Sequence, residues 1–173
     1  MHKDYEWTPF EKLEGISFKK SDFCETLDGG QSFTWDKFDA NRNEFDAAYE
    51  GVFGGRALRV ALDKSGNVHF SSPADSCEGA EQALLEYLDA STDYAPIRIT
   101  LEKTGDANIC KALKIWPTLR ILRQSPAEAI ICFICSSSKR ITQIKQCVRL
   151  LSDKLGKLSL IHISEPTRPE PIS

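Results

Sequence analysis

Between residues 31 and 71 the apolar positions of this chain alternate in twos, and from residue 76 onward they recur every three or four. Leu58, Val60 and Leu62 alternate with Arg59 and Ala61, the period of a pleated strand with one buried and one wet face. Strands are predicted over residues 45–52, 57–62 and 67–71, with the segment 31–35 ahead of them. Gly54-Gly55 and Lys64-Ser65-Gly66-Asn67 fall in the gaps and carry residues that tolerate tight reversals. The pattern is that of an antiparallel meander.

Helical spacing follows. Ser76 is positioned to cap a helix running to Tyr87-Leu88, with Ala80, Ala83, Leu84, Tyr87 and Leu88 on one side. A second helix is predicted over residues 106–115, ahead of Pro117. Ser125-Pro126-Ala127-Glu128 combines an N-cap serine, proline at the first helical position and glutamate at the third, a capping box. Residues 129–135 are apolar on every side, which predicts a helix central to a core. Ser136-Ser137-Ser138 ends it. Ile141, Ile144, Val148, Leu151 and Leu155 then form one stripe, with Lys145, Arg149 and Lys154 off it and Gly156 as the stop. The last sixteen residues contain three of the eight prolines and keep no period. LSLIHISEPTR matches the conceptual translation of a sequencing-library adapter, so 158–173 is expected to be non-native read-through.

The composition is that of a water-soluble domain, with 41% apolar and 27% charged residues and no apolar run long enough to span a membrane. The first fifteen residues lack the apolar core of a secretory signal, which favours a reducing compartment. There Cys24, Cys77, Cys110, Cys132, Cys135 and Cys147 would act as small hydrophobes. Cys132 and Cys135 have CxxC spacing but no second ligand pair, and His2, His69 and His162 are scattered, so packing is the expected role. Charge changes the picture more. Residues 1–110 hold 11 Lys and Arg against 21 Asp and Glu, a net of −10; residues 111–157 hold 10 against 2, a net of +8. Such a split points to a polyanionic partner for the basic part, or to basic helix faces that are merely solvated.

Two blocks carry a family resemblance. Leu27-Asp28-Gly29-Gly30-Gln31-Ser32-Phe33-Thr34-Trp35, with Tyr49-Glu50-Gly51-Val52 downstream, is similar to the GQSFRW block and following W-x-G-V strand of 8-oxoguanine DNA glycosylases. Leu119-Arg120-Ile121-Leu122-Arg123-Gln124-Ser125-Pro126-Ala127-Glu128, running into Phe133-Ile134-Cys135-Ser136-Ser137, resembles that family's LRQDPxE and FICSSNNNIARI blocks. Order and spacing agree over residues 20–157. The resemblance implies an α+β fold. Residues 1–121 would form an antiparallel sheet domain like a TATA-binding-protein repeat. Residues 122–157 would begin an all-α helix–hairpin–helix glycosylase domain, truncated here.

It also implies base-excision DNA repair. A bifunctional formamidopyrimidine/8-oxoguanine glycosylase and apurinic-site lyase flips an oxidised purine from the duplex, cleaves its glycosidic bond and forms a lysine Schiff base with the sugar. No metal or organic cofactor is implied. The partner is double-stranded DNA containing the lesion, the protein is expected to be a monomer without membrane association, and the location is the cytoplasm and nucleoid or the nucleus. Gly30 matches the glycine whose carbonyl accepts the N7–H of 8-oxoguanine, a contact that needs close backbone approach. Ser138 stands where the family places the first asparagine of its NNN run, and Lys139, Arg140 and Gln143 also depart from the pattern. Phosphate contact by Lys139 and Arg140, with weakened readout of the opposite cytosine, is the expectation. The family's nucleophilic lysine and activating aspartate lie beyond the second block, so the chain is expected to be an inactive fragment. Two alternatives remain open: a non-catalytic DNA-binding protein complete as given, and a related alkylpurine glycosylase, against which the Gly30 block argues.

Overall fold

Alternation by twos produces the expected ladder, and a strand from the start of the chain closes its far edge. The computed structural model describes residues 6–155. The strands are β1 (Glu11–Ser17), β2 (Trp35–Lys37), β3 (Phe45–Phe53), β4 (Arg56–Asp63) and β5 (Asn67–Ser71). Their order is β1-β5-β4-β3-β2, and every pairing is antiparallel. Tyr49 stands opposite Val60, Gly51 opposite Leu58, and Val60 opposite Phe70. The β3–β4 reversal uses Gly54 and Gly55 at φ +54° and +74°, where a side chain would be strained.

Leu58, Val60 and Leu62 share one cluster with Phe23 and Leu27 of α1 (Lys20–Asp28) and with Leu84 and Tyr87 of α2 (Ala80–Tyr87). The other face departs from expectation. It is not wet at its centre, because Phe45, Ala48 and Ala61 are buried there beneath Phe10, Phe38 and Ala40. Arg59 adds cover, its guanidinium bonding Glu50 at 3.2 Å and lying 4.2 Å from the Trp7 ring centroid. Residues flanking the strands supply this second layer, so strand periodicity alone does not reveal it.

The helical half follows the predictions in part. Ser76 does not cap α2: it lies in a short 3-10 turn (Ala74–Ser76), and Gly79 occupies the cap. Asp106 does cap α4 (Ala107–Ile115), accepting from Asn108 N at 2.8 Å and Ile109 N at 3.0 Å. A further helix, α3 (Ala95–Glu102), precedes it. Arg98 of α3 donates to Leu113 O and Pro117 O, which satisfies carbonyls at the C-terminal end of α4. Two helices, α5 (Pro126–Ser136) and α6 (Ile141–Leu155), complete the described chain. Gly156 and residues 158–173 lie outside the described residues.

Two expectations about α5 change. Ser125 Oγ accepts from Glu128 N at 3.2 Å, but Glu128 does not reach back to close the box; its carboxylate accepts the Gly54 N–H at 3.1 Å and ties α5 to the sheet. Nor is α5 central to a core. Cys132 is buried against Ile144 and Val148 of α6, with Phe33 and Cys135 beside it, while Ile130, Ile131, Phe133 and Ile134 are exposed. An all-round apolar helix needs neighbours on every side, and α6 with Phe33 covers one.

Between α4 and α5 the chain runs as a strap outside any strand, and its polar groups are held mostly by side chains rather than by a ladder. Buried Asp22 accepts Thr118 N at 2.6 Å and Thr118 Oγ1 at 2.7 Å. Tyr94 OH accepts from Ile121 N at 3.1 Å, and Tyr87 O accepts from Arg123 N at 2.9 Å. Asp89 takes the Arg123 guanidinium together with the hydroxyls of Thr92 and Tyr94. Burial alone would push the Asp89 carboxyl up, but these donors outweigh it and hold it below its ordinary range.

Asp63 is a similar staple at the β4–β5 turn. Partial burial raises its carboxyl, yet hydrogen bonds from Asn67, His69 and Ser65 outweigh that and hold it far below the usual carboxylate range. A carboxylate depressed in the folded state stabilises fully above its unfolded pKa of about 3.9, and that stability is lost as pH falls toward the folded value. Urea unfolding of Asp63→Asn is therefore expected to show a large deficit against the wild type at pH 7 and a shrinking one as pH falls below about 4. A deficit independent of pH would refute the assignment.

Candidate nucleic-acid interface

Glycine, glutamine and serine end α1 and begin a six-residue loop, 29–34, before β2. Gly30 has φ +103°, and a Cβ built there would meet nothing within 4 Å. The backbone, not crowding, demands glycine, and the space above it is open to a ligand. Gln31 fixes the loop: its Nε2 donates to Arg120 O at 2.9 Å, its Oε1 accepts from Leu122 N at 3.1 Å, and its own carbonyl accepts from Gln124 Nε2 at 2.5 Å. The two motif blocks, some ninety residues apart, are thus one hydrogen-bonded unit. Ser32 Oγ lies 3.0 Å from Thr34 Oγ1, and Phe33 packs against the Cys132 cluster.

Trp35 anchors the loop's far end. It is fully buried, its indole N–H donates to Tyr87 OH at 3.0 Å, and its ring stacks on Phe53 at 6.0 Å. Burial pushes the Tyr87 phenol up, which keeps it a neutral acceptor for that N–H. Burial, then the neighbouring Cys135 and Glu128, also push the Cys132 thiol up, consistent with a packing role.

The remaining candidates meet at the α5–α6 turn. Ser136 Oγ donates back to Phe133 O at 2.7 Å, ending α5, and Ser138 adopts a left-handed φ of +56°. Gln143 Oε1 accepts from Arg140 N at 3.0 Å, so the side chain reaches back to cap α6. Ser138, Lys139, Arg140 and Gln143 are all exposed. Lys139 and Arg140 have no ion-pair partner among the described residues. The structure thus gathers these four residues at one turn, while Gly30 sits on a separate loop between α1 and β2.

Much of the basic excess is internal. Arg120 donates to Asp89 O at 2.6 Å, Arg123 pairs with Asp89, and Arg149 pairs with Asp36 at 2.6 Å. Lys145 lies 2.7 Å from Asp28 Oδ1, 3.5 Å from Asp36 Oδ1 and 2.5 Å from Trp35 O. The acidic first part and the basic second part of the chain complement each other across the α6 contact. Sequence reasoning placed Lys145 and Arg149 simply off the apolar stripe of α6; the opposed net charges of the two segments were the signal that could have paired them with Asp28 and Asp36. Among the described residues no helix is long and apolar enough to cross a membrane.

The sequence and fold are shared with known proteins. A family model described as 8-oxoguanine DNA glycosylase, N-terminal domain, matches residues 15–130. N-glycosylase/DNA lyase OGG1 of Arabidopsis thaliana is 30% identical over 132 residues, which is 73% of this chain and 33% of that protein. The structure of MBOgg1 in complex with a low-affinity DNA ligand is similar with a TM-score of 0.65 at 27% identity, over 84% of this chain and 49% of that one. The apo form of the Clostridium acetobutylicum 8-oxoguanine glycosylase/lyase shares the fold with a TM-score of 0.65 at 24% identity, over 88% of this chain and 50% of that one. The chain spans about a third of the curated relative and about half of the solved structures.

Proposed function

The chain belongs to the 8-oxoguanine DNA glycosylase family through its N-terminal domain, and we propose that it is the lesion-reading portion of a base-excision repair glycosylase/lyase that works on duplex DNA carrying an oxidised purine. The observation that carries this reading is the union of the two blocks: Gln31 hydrogen-bonds Arg120 and Leu122, holding open Gly30 beside the strap that leads into α5. In this reading the Gly30 carbonyl accepts the N7–H that 8-oxoguanine has and guanine lacks. Lys139 and Arg140 meet phosphates at the start of α6, where helix N–H groups and positive charge favour an anion. Ser138 faces the space vacated by the flipped base, with weaker readout of the opposite cytosine than a longer amide would give. Gln143 supports the turn by capping α6.

The reaction proposed for the parent enzyme is glycosidic cleavage followed by lysine-dependent strand nicking, without metal or organic cofactor. We assign the nucleophile to no lysine of this chain. Lys145 on α6, largely shielded from solvent, aims its ammonium at Asp28, Asp36 and Trp35 O rather than at open space. The sheet domain over 1–121 and the opening of a glycosylase domain over 122–157 are the corresponding division. The chain acts as a monomer where the DNA is, in the nucleoid or the nucleus.

Fluorescence anisotropy with duplexes holding 8-oxoguanine or guanine opposite cytosine tests the reading. The wild-type chain is expected to prefer the lesion about five-fold, the worth of one net hydrogen bond of about 1 kcal/mol. Gly30→Ala strains a left-handed residue and blocks the approach to its carbonyl, so the preference is expected to fall to about one while general duplex affinity persists. Equal affinity of the wild type for both duplexes would overturn the lesion-reading role, and no affinity for either would overturn the DNA-binding role.

A further inference from the structure

The loop that carries Gly30 has a neck, and one side chain closes it. Asp28 is the last residue before the loop, and Trp35 and Asp36 are the first two after it. Lys145 of α6 reaches all three, at 2.7 Å to Asp28 Oδ1, 2.5 Å to Trp35 O and 3.5 Å to Asp36 Oδ1. We infer that Lys145 is a positioning residue: its ammonium draws the two ends of the loop together and locks the lesion-reading loop to the helix whose N-terminus carries Lys139 and Arg140. This rests on the lesion-reading function proposed above.

Three observations support it. The ammonium is mostly shielded, with the Lys145 side chain only 16% exposed, so its bonds are little weakened by water and salt. A second cation seconds it, since Arg149, one helical turn on, takes Asp36 Oδ2 at 2.6 Å. The competing contact is weaker: Lys37 approaches Asp28 Oδ2 at 3.8 Å with a largely exposed side chain. The clamp also changes the electrostatics of the site. Asp28 and Asp36 flank the loop and would repel a phosphodiester backbone, and Lys145 with Arg149 balances both charges. A loop without this neutralisation would be looser and more repulsive to DNA.

Hydrogen–deuterium exchange of the 173-residue chain tests the clamp without reference to DNA. Lys145→Met keeps the stem and removes the charge. Exchange of residues 29–34 is expected to quicken about ten-fold, as for a local opening, while β3 and β4 stay protected. Lys145→Arg is expected to restore most of the protection. In an Asp28→Asn, Asp36→Asn background, Lys145→Met is expected to add little. Unchanged exchange in the loop, or an equal rise throughout the sheet, would overturn the inference. Anisotropy with the 8-oxoguanine duplex supplies the functional arm, where Lys145→Met is expected to lose the lesion preference and Lys145→Arg to retain it. A wild type without lesion preference defeats the functional reading and leaves the exchange result to decide the clamp. A wild-type preference that survives Lys145→Met despite a loosened loop defeats the positioning role.

Discussion

Trp35→Ala is expected to lower the thermal midpoint by about 10–15 °C, the effect of removing about 3–5 kcal/mol from a domain of this size. The indole is fully buried, stacks on Phe53 and donates to Tyr87 OH, so the substitution removes contacts on β2, β3 and α2 together. Gly51 shows how closely the ring is seated: a Cβ on it would lie 2.5 Å from the indole. The neighbour cannot collapse into the hole, because the glycine has no side chain to move. Domains as a class are stable by only about 5–15 kcal/mol, so this loss is a large share. Tyr87→Phe separates the components. It keeps the ring and strands the buried indole N–H, at a cost of about 1–3 kcal/mol. Near-ultraviolet circular dichroism through a thermal melt measures both, and a fall below about 4 °C for Trp35→Ala would show that the indole is not a keystone of this core.

The double change Lys139→Ala, Arg140→Ala is expected to weaken duplex binding about 60-fold at 0.1 M salt and to reduce the slope of log affinity against log salt by about 1.8, the counterion release of two phosphate contacts. Both side chains are exposed and lack an ion-pair partner among the described residues, so folding stability should change little. Lys111→Ala, Lys114→Ala on α4 removes equal charge from another element and serves as the control. Affinity and slope are read by anisotropy across a salt series. Equal losses in the two double variants would mean that binding is diffuse attraction to net charge, with no contact at the α5–α6 turn.

The strands were legible because their signals are local. Alternation at Leu58, Val60 and Leu62 and the glycine turns on either side placed β3, β4 and β5 within a residue or so of their observed bounds. The start of α5 was legible from Ser125-Pro126 for the same reason. What escaped depends on partners distant in sequence. In α1 two of the four buried positions are Asp22 and Thr26, which disguise the apolar stripe, and Asp22 makes sense only once Thr118 is beside it. Ile97, Ile99 and Leu101 of α3 alternate like a strand and are exposed, so no helical period marks them. The wet face expected for β4 is covered by Phe10 and Phe38, which no strand pattern includes. In the candidate site, the motif blocks pointed to Gly30 and the Ser138 turn and even contained Asp28, Gln31 and Arg120, but the bonds that join them, Gln31 to Arg120 and Lys145 to Asp28, exist only in three dimensions.

The strap also sets a schedule. The sheet and α1 can form from the first seventy or so residues, but the bonds that seat the loop run from Gln31 to Arg120, Leu122 and Gln124. During synthesis at about 5–20 residues per second, those partners leave the ribosome roughly 5–20 s after the loop does. Through that interval the loop is tied at its far end, by Thr34 to Val52 and by Trp35 to Phe53, but Gln31 has no strap to hold it, and closing so long a segment is slow once the partners arrive. The loop of residues 29–34 is therefore seated late, and a nascent chain holds a finished sheet before it holds that loop in place.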